Sequence, residues 1–359
     1  MERRRWRLPS QAVPAFLHGL LALAVCACGG AVFAALGTVL PWMLGPLTFM
    51  AAACMAGLPV RRPAGGLPVG QLIVGTALGL YFTEPVLHEL LRHAGAIAAG
   101  ALFALALGCV SAMLLARLSG CGFLTAFFAS LPGGAAEMSV MADRLGGRAD
   151  WVAAAHALRI VIVVLTVPPL ITWSGAHGAQ DWLASTATVR PAGLVALLLL
   201  AGAGGALLRW LDTPNGWIIG PLVVAIVLTG SGEAWSALPG WVVNGGQLLI
   251  GCALGSRFSA GFFKSAPRFL LSVAATVVFS LLLAAGFAVL LAWATGIDLP
   301  TTLLATAPGG VAEMSLTARA LHLGVPVVTS FHVTRMAFLV LSAAPVFALG
   351  RRLLARAGT

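Results

Sequence analysis

Charged side chains are scarce in this chain. Lys, Arg, Asp and Glu supply 9% of its 359 residues, against 60% hydrophobic ones, and the mean hydropathy is +0.99. Soluble domains carry roughly a quarter charged residues, so a water-exposed globule is excluded. Enzyme signatures are missing as well. There is no G-x-S-x-G, no Walker loop, no HExxH and no dinucleotide fingerprint after a strand. The six cysteines form no C-x-x-C and no metal-ligand spacing, and most sit in apolar stretches as small packing residues. A solvated basic face is absent too. The net charge of +10 comes from short clusters between apolar runs, as membrane anchors do, so nucleic acid is not an expected partner.

What is present is a duplication. Residues 131–172 align with 307–348 at an offset of 176 and share 15 of 42 positions without a gap. The densest block pairs Pro132-Gly133-Gly134-Ala135-Ala136-Glu137-Met138-Ser139 with Pro308-Gly309-Gly310-Val311-Ala312-Glu313-Met314-Ser315. Beyond it, His156 and Arg159 meet His332 and Arg335. At the same offset Gly70-Gln71-Leu72 meets Gly246-Gln247-Leu248, and one residue out of step Trp42-x-x-Gly45-Pro46 meets Trp217-x-x-Gly220-Pro221. The halves are 1–175 and 176–359. Cys26 and Cys28, following the basic Met1–Arg7 stretch, look like a secretory or lipoprotein leader. The counterpart of that span in the second half marks it as a retained helix.

Each half offers five apolar segments that approach the length needed to cross a ~30 Å hydrocarbon core. They are about 15–38, 41–58, 67–82, 93–117 and 150–174, then 191–210, 216–230, 241–256, 268–294 and 324–349. Two further segments, 121–141 and 300–317, are broken by Pro-Gly-Gly. If each of these returns to the side it entered from, and the N-terminus is cytoplasmic, sixteen Lys or Arg fall inside and three (Arg92, Arg190 and Arg319) outside. That bias favours ten spans with both termini cytoplasmic. Five spans per half would insert the second copy upside down. The expected fold is therefore an all-α polytopic inner-membrane protein of two inverted repeats, plus two broken or re-entrant segments.

The duplicated motifs carry the candidate chemistry. Pro132, Gly133 and Gly134, with Pro308, Gly309 and Gly310, should break a helix by removing a donor and by allowing positive φ or close backbone approach. The helix restarts near Ala135 with Glu137 and Ser139, and in the second half with Glu313 and Ser315, in its first turn. Carboxylates are favoured there by the helix dipole. They serve either as caps of their own helices or as lining of a shared site. His156 and Arg159, like His332 and Arg335, share one helix face. A lone arginine at membrane depth costs at least ~2.5 kcal/mol, so Glu137 and Glu313 are its expected partners. The histidines add groups able to titrate near neutrality. Gln71 and Gln247 sit beside small residues, where pore lining and helix packing are both open. Trp42, Trp217, Trp151, Trp173, Trp182, Trp235 and Trp241 fall near span ends and are expected as interfacial anchors. An oxygenase would need converging metal ligands; His156, His332, Glu137, Glu313, Met138 and Met314 are a thin set for that. No metal, cofactor or catalytic residue is assigned.

These motifs carry a resemblance. The repeated Pro-Gly-Gly-x-Ala-Glu-Met-Ser, the following His-x-x-Arg and the upstream Trp-x-x-Gly-Pro resemble the membrane AbrB family of duplicated proteins from Gram-negative bacteria, over about residues 15–350. The small soluble DNA-binding protein of that name is a different molecule. The resemblance implies labels such as regulator of gene expression and ammonia monooxygenase, which these residues do not explain. It also implies distant kinship to the cation–proton antiporter and anion transporter superfamily, with its inverted five-span repeats and broken helices. The paired acidic residues that many cation antiporters place in one helix are missing here. The expected function is a secondary transporter or uniporter for a small solute, embedded in the lipid bilayer and able to form homo-oligomers, with a membrane sensor as the rival reading.

Overall fold

The computed structural model describes residues 15–176, 188–233, 235–258, 261 and 266–357. Arg3, Arg4, Arg5, Arg7, Trp182 and Lys264 lie outside the described residues, as do the side chains of Arg351, Arg352 and Arg356. Among the described residues there are fifteen helices and no strand. In chain order the first copy contributes α1 (Ala15–Ala35), α2 (Pro41–Met55), α3 (Gly66–Gly79), α4 (Glu84–Arg92), α5 (Ala94–Ser119), α6 (Phe123–Ser130), α7 (Ala135–Arg144) and α8 (Ala149–Trp173). The second contributes α9 (Pro191–Trp210), α10 (Gly216–Gly230), α11 (Gly240–Gly255), α12 (Pro267–Thr295), α13 (Leu299–Thr306), α14 (Val311–Ala320) and α15 (Val325–Ala357).

Six of these helices are long and apolar enough to cross a membrane: α1, α5, α8, α9, α12 and α15. A seventh span results if α3 and α4, bent by 85° at their junction, count as one. The protein is thus an all-helical membrane protein. Its outward side chains fit lipid: Leu199, Leu271 and Leu341 are 70–77% exposed on long apolar helices. Helices α2, α3, α10 and α11, of 14 to 16 residues, reach ~21–24 Å at 1.5 Å per residue and fall short of a full hydrocarbon core.

The short helices pack through glycine. A Cβ on Gly45 of α2 would strike the carbonyl of Gly29 in α1, and one on Gly220 of α10 would strike that of Gly204 in α9. Between copies, Gly75 lies on the backbone of Ile218 and Gly251 on that of Met43. Gly70 and Gly246 each lie against the other's carbonyl. With no hydrophobic drive between helices in lipid, such close backbone approach is what holds them. It also explains two tryptophans expected at the membrane surface. Trp42 closes over Gly30 and Trp217 over Gly205, so both are packing residues. Trp173 and Trp241, 87% and 76% exposed, stand at helix ends.

The long helices surround the broken ones. Helix α6 is held by α5 and α8, and α13 by α12 and α15. Helices α5 and α12 run antiparallel: Ser111 hydrogen-bonds Ser280 at 2.9 Å, Phe103 stacks on Phe287 at 4.0 Å, and Arg268 Nε donates to the Leu118 carbonyl. Gly66 against Leu249 and Gly70 against Gly246 set α3 antiparallel to α11. In both pairs the partners are equivalent helices of the two sequence copies.

Candidate functional site

The Pro-Gly-Gly segments interrupt helices where the sequence places them. Helix α6 stops at Ser130 and α7 starts at Ala135; α13 stops at Thr306 and α14 starts at Val311. None of Gly133, Gly134, Gly309 and Gly310 has positive φ, so they serve close approach alone. A Cβ on Gly134 would meet Glu137 Oε2, and one on Gly310 would meet Glu313 Oε2. Each glycine leaves room for the carboxylate of its own helix to fold back over the first turn.

A broken helix exposes unpaired carbonyls at its end, which lipid cannot solvate. The duplicated His and Arg satisfy them. His156 Nε2 meets the Phe128 carbonyl at 2.9 Å, and Arg159 donates from Nη1 to the Leu131 carbonyl at 3.0 Å and from Nη2 to His156 Nδ1 at 3.0 Å. A carbonyl on Nε2 and a guanidinium on Nδ1 require the neutral, Nε2–H imidazole, so His156 is a link rather than a proton carrier. In the second copy His332 Nε2 meets the Leu304 carbonyl at 2.8 Å. Arg335 donates to the carbonyls of Ala307 at 2.7 Å and Gly309 at 2.6 Å.

The expected arginine–glutamate pairs are not formed. Among the described residues the ion pairs within 4.0 Å join Arg92 and His93 to Glu89, and Arg148 to Asp150. The helix dipole gives the reason. A helix C-terminus carries partial negative charge and attracts the arginine, while the restarted N-terminus carries partial positive charge and holds the glutamate. Each charge is compensated by its own end of the break.

Both breaks line one cavity of about 400 Å³. Its wall includes Pro132, Gly133, Gly134 and Glu137 from the first copy, Gly309, Gly310 and Glu313 from the second, and Arg159, Arg335 and Gln71. The other expected site residues stand behind this wall. Ser139 bonds back to the Ala135 carbonyl, and Ser315 accepts from Thr329 at 2.9 Å. His156 and His332 are fully buried, and Gln247 is buried. Pro308 and these residues do not reach the cavity.

The lining residues that escaped the sequence reading include Arg209, Asp212, Asn215 and Arg257. Arg209, Asp212 and Arg257 are exposed and mark the mouth. Asn215, in the left-handed region at φ 51°, donates to Met336 Sδ at 2.9 Å. Arg257 and Glu313 act on each other electrostatically without an ion pair. Asp212-Thr213-Pro214-Asn215-Gly216 reads as a turn signal, but no equivalent stands in the first copy, so a search by duplication passes over it. Among the described residues no three His, Cys, Asp or Glu side chains gather as metal ligands.

The family model described as "Transition state regulatory protein AbrB" matches residues 42–350. A Bacillus subtilis (strain 168) protein named "Uncharacterized protein YhjN" is 29% identical over 362 residues, covering 92% of each chain. The "Putative regulator AbrB" of Escherichia coli (strain K12) is 26% identical over 311 residues, covering 85% of this chain and 88% of its own. The Bacillus relative extends the likeness beyond the Gram-negative bacteria expected from the motifs.

Proposed function

Because the chain belongs to the AbrB family, and its motifs converge on a cavity, we propose that it is a secondary transporter or uniporter for a small solute in the plasma membrane. The carrying observation is that both Pro-Gly-Gly breaks and both buried arginines line one cavity of about 400 Å³. Broken helices that present half-helix ends to a site between two repeats are the plan of many secondary transporters. In this reading the chain forms ten crossings, five from residues 1–175 and five from 176–359, with the bilayer thinned around the short helices α2, α3, α10 and α11, the second set inverted and both termini cytoplasmic. The antiparallel packing of α5 on α12 and of α3 on α11 supports the inversion. The mouth, with Arg209 and Arg257, then faces the cytoplasm, and the protein works without a cofactor.

The test is uptake. Proteoliposomes are incubated with a mixed pool of small metabolites, and their contents are compared by mass spectrometry with protein-free vesicles. At least one solute should accumulate, and Glu313→Gln should reduce its uptake at least tenfold. Folded protein that moves nothing from a broad pool would sink the transport reading. The name of the Escherichia coli relative supports a second reading, a membrane regulator. A variant that carries no solute yet restores the gene-expression phenotype of a deletion strain would favour it.

A further inference from the structure

The cavity holds opposite charges that form no ion pair with each other. Glu137 and Glu313 line it with no ion pair. Arg159 and Arg335 line it 94–95% buried, with their Nη groups committed to the break and to His156. Yet Nε of each arginine is buried with no hydrogen-bond partner. A buried N–H on a charged group left unpaired is costly, and here it occurs at equivalent positions in both copies. The restarted N-termini of α7 and α14, ten residues each, add partial positive charge at the same wall.

A simple anion entering this space gains the arginines and the helix N-termini but meets two unpaired carboxylates. A simple cation gains the carboxylates but meets the arginines. The wall as a whole is nearly balanced, with Arg159, Arg209, Arg257 and Arg335 against Glu137, Glu313 and Asp212. We propose that the cavity takes a small zwitterion, its carboxylate towards the arginines Arg159 and Arg335 and its ammonium group towards Glu137 and Glu313. The proposal rests on the transport reading, in that the same cavity is the solute site. About 400 Å³ lies at the small end of ligand pockets, which run ~300–1,000 Å³, and suits a solute of amino-acid size.

The experiment uses three probes of one carbon skeleton on the detergent-purified full chain. β-Alanine is the zwitterion, propionate the anion and propylamine the cation; glycine and L-alanine extend the zwitterion set. Binding is read by thermal shift and isothermal titration, and uptake is read in proteoliposomes. At least one zwitterion should raise the melting temperature, with propionate and propylamine at least tenfold weaker. Glu137→Gln, at a half-exposed position with no partner to lose, should fold normally and weaken zwitterion binding at least tenfold. Glu313→Gln should do the same. Propionate or propylamine binding as well as β-alanine would overturn the proposal, and so would a wild-type protein that responds to no zwitterion. Zwitterion binding without uptake would keep the ligand class and remove the transport reading. Uptake of a plain anion or cation, with no zwitterion response, would do the reverse.

Discussion

Arg335 and Arg159 occupy equivalent positions and bond different partners. Arg335 donates to two backbone carbonyls of its break; Arg159 donates to one and to a histidine. An orphaned buried acceptor costs about 1–3 kcal/mol. Each arginine thus serves two buried acceptors, so Arg335→Gln and Arg159→Gln should each lower stability by about 2–6 kcal/mol. Thermal unfolding in detergent measures both, and a loss under about 1 kcal/mol in either variant would contradict the capping assignment. The same bonds govern the acidic side chains. Because Glu137 and Arg159 are not paired, their double-mutant cycle should close within about 0.5 kcal/mol, as for independent sites. A larger coupling would restore the ion pair that the spacing alone led one to expect.

Among the helices, glycine decides which ones touch. Gly45 and Gly245 both sit inside short apolar helices, and composition does not tell them apart. A Cβ on Gly45 would run into the backbone carbonyl of Gly29, whereas one on Gly245 meets nothing within 4 Å. Backbone cannot yield as a side-chain tip can, so Gly45→Ala should cost about 1–3 kcal/mol or more. Gly245→Ala should be neutral or gain about 0.5–1 kcal/mol of helix stability. Size-exclusion recovery after mild heating of the two variants would separate them, and indistinguishable recovery would argue against the α1–α2 crossing. The broken helices follow related logic. Proline and two glycines end α6 and α13, and the duplicated His and Arg make those ends tolerable in an apolar setting.

At the scale of the whole molecule the open question is orientation. Sixteen cationic residues fall on one side and three on the other if the breaks do not cross, and the proposed orientation, with the mouth of the cavity in the cytoplasm, follows from that bias. In a cysteine-free background, Ser174→Cys at the end of α8 should react with an impermeant maleimide in intact cells. Leu211→Cys, 56% exposed after α9, should react only after permeabilisation. Labelling in the opposite order would invert the topology, and labelling of both in intact cells would break the ten-crossing reading.

Sequence alone determined the membrane class, the duplication, and the limits of nearly every helix, because each rests on local signals: runs of apolar residues, Pro-Gly-Gly interruptions, and motifs that occur twice. It also located Glu137 and Glu313 in the first turns of restarted helices. What the sequence could not decide was which groups face each other. Tertiary structure turned the arginines toward carbonyls instead of carboxylates, because a broken helix supplies its own counter-charges at its two ends. It also brought Arg209, Asp212, Asn215 and Arg257 to the cavity, from positions where the first copy carries different residues. Contacts between residues far apart in the chain depend on how helices cross, and a few glycines whose importance lies in their neighbours set those crossings.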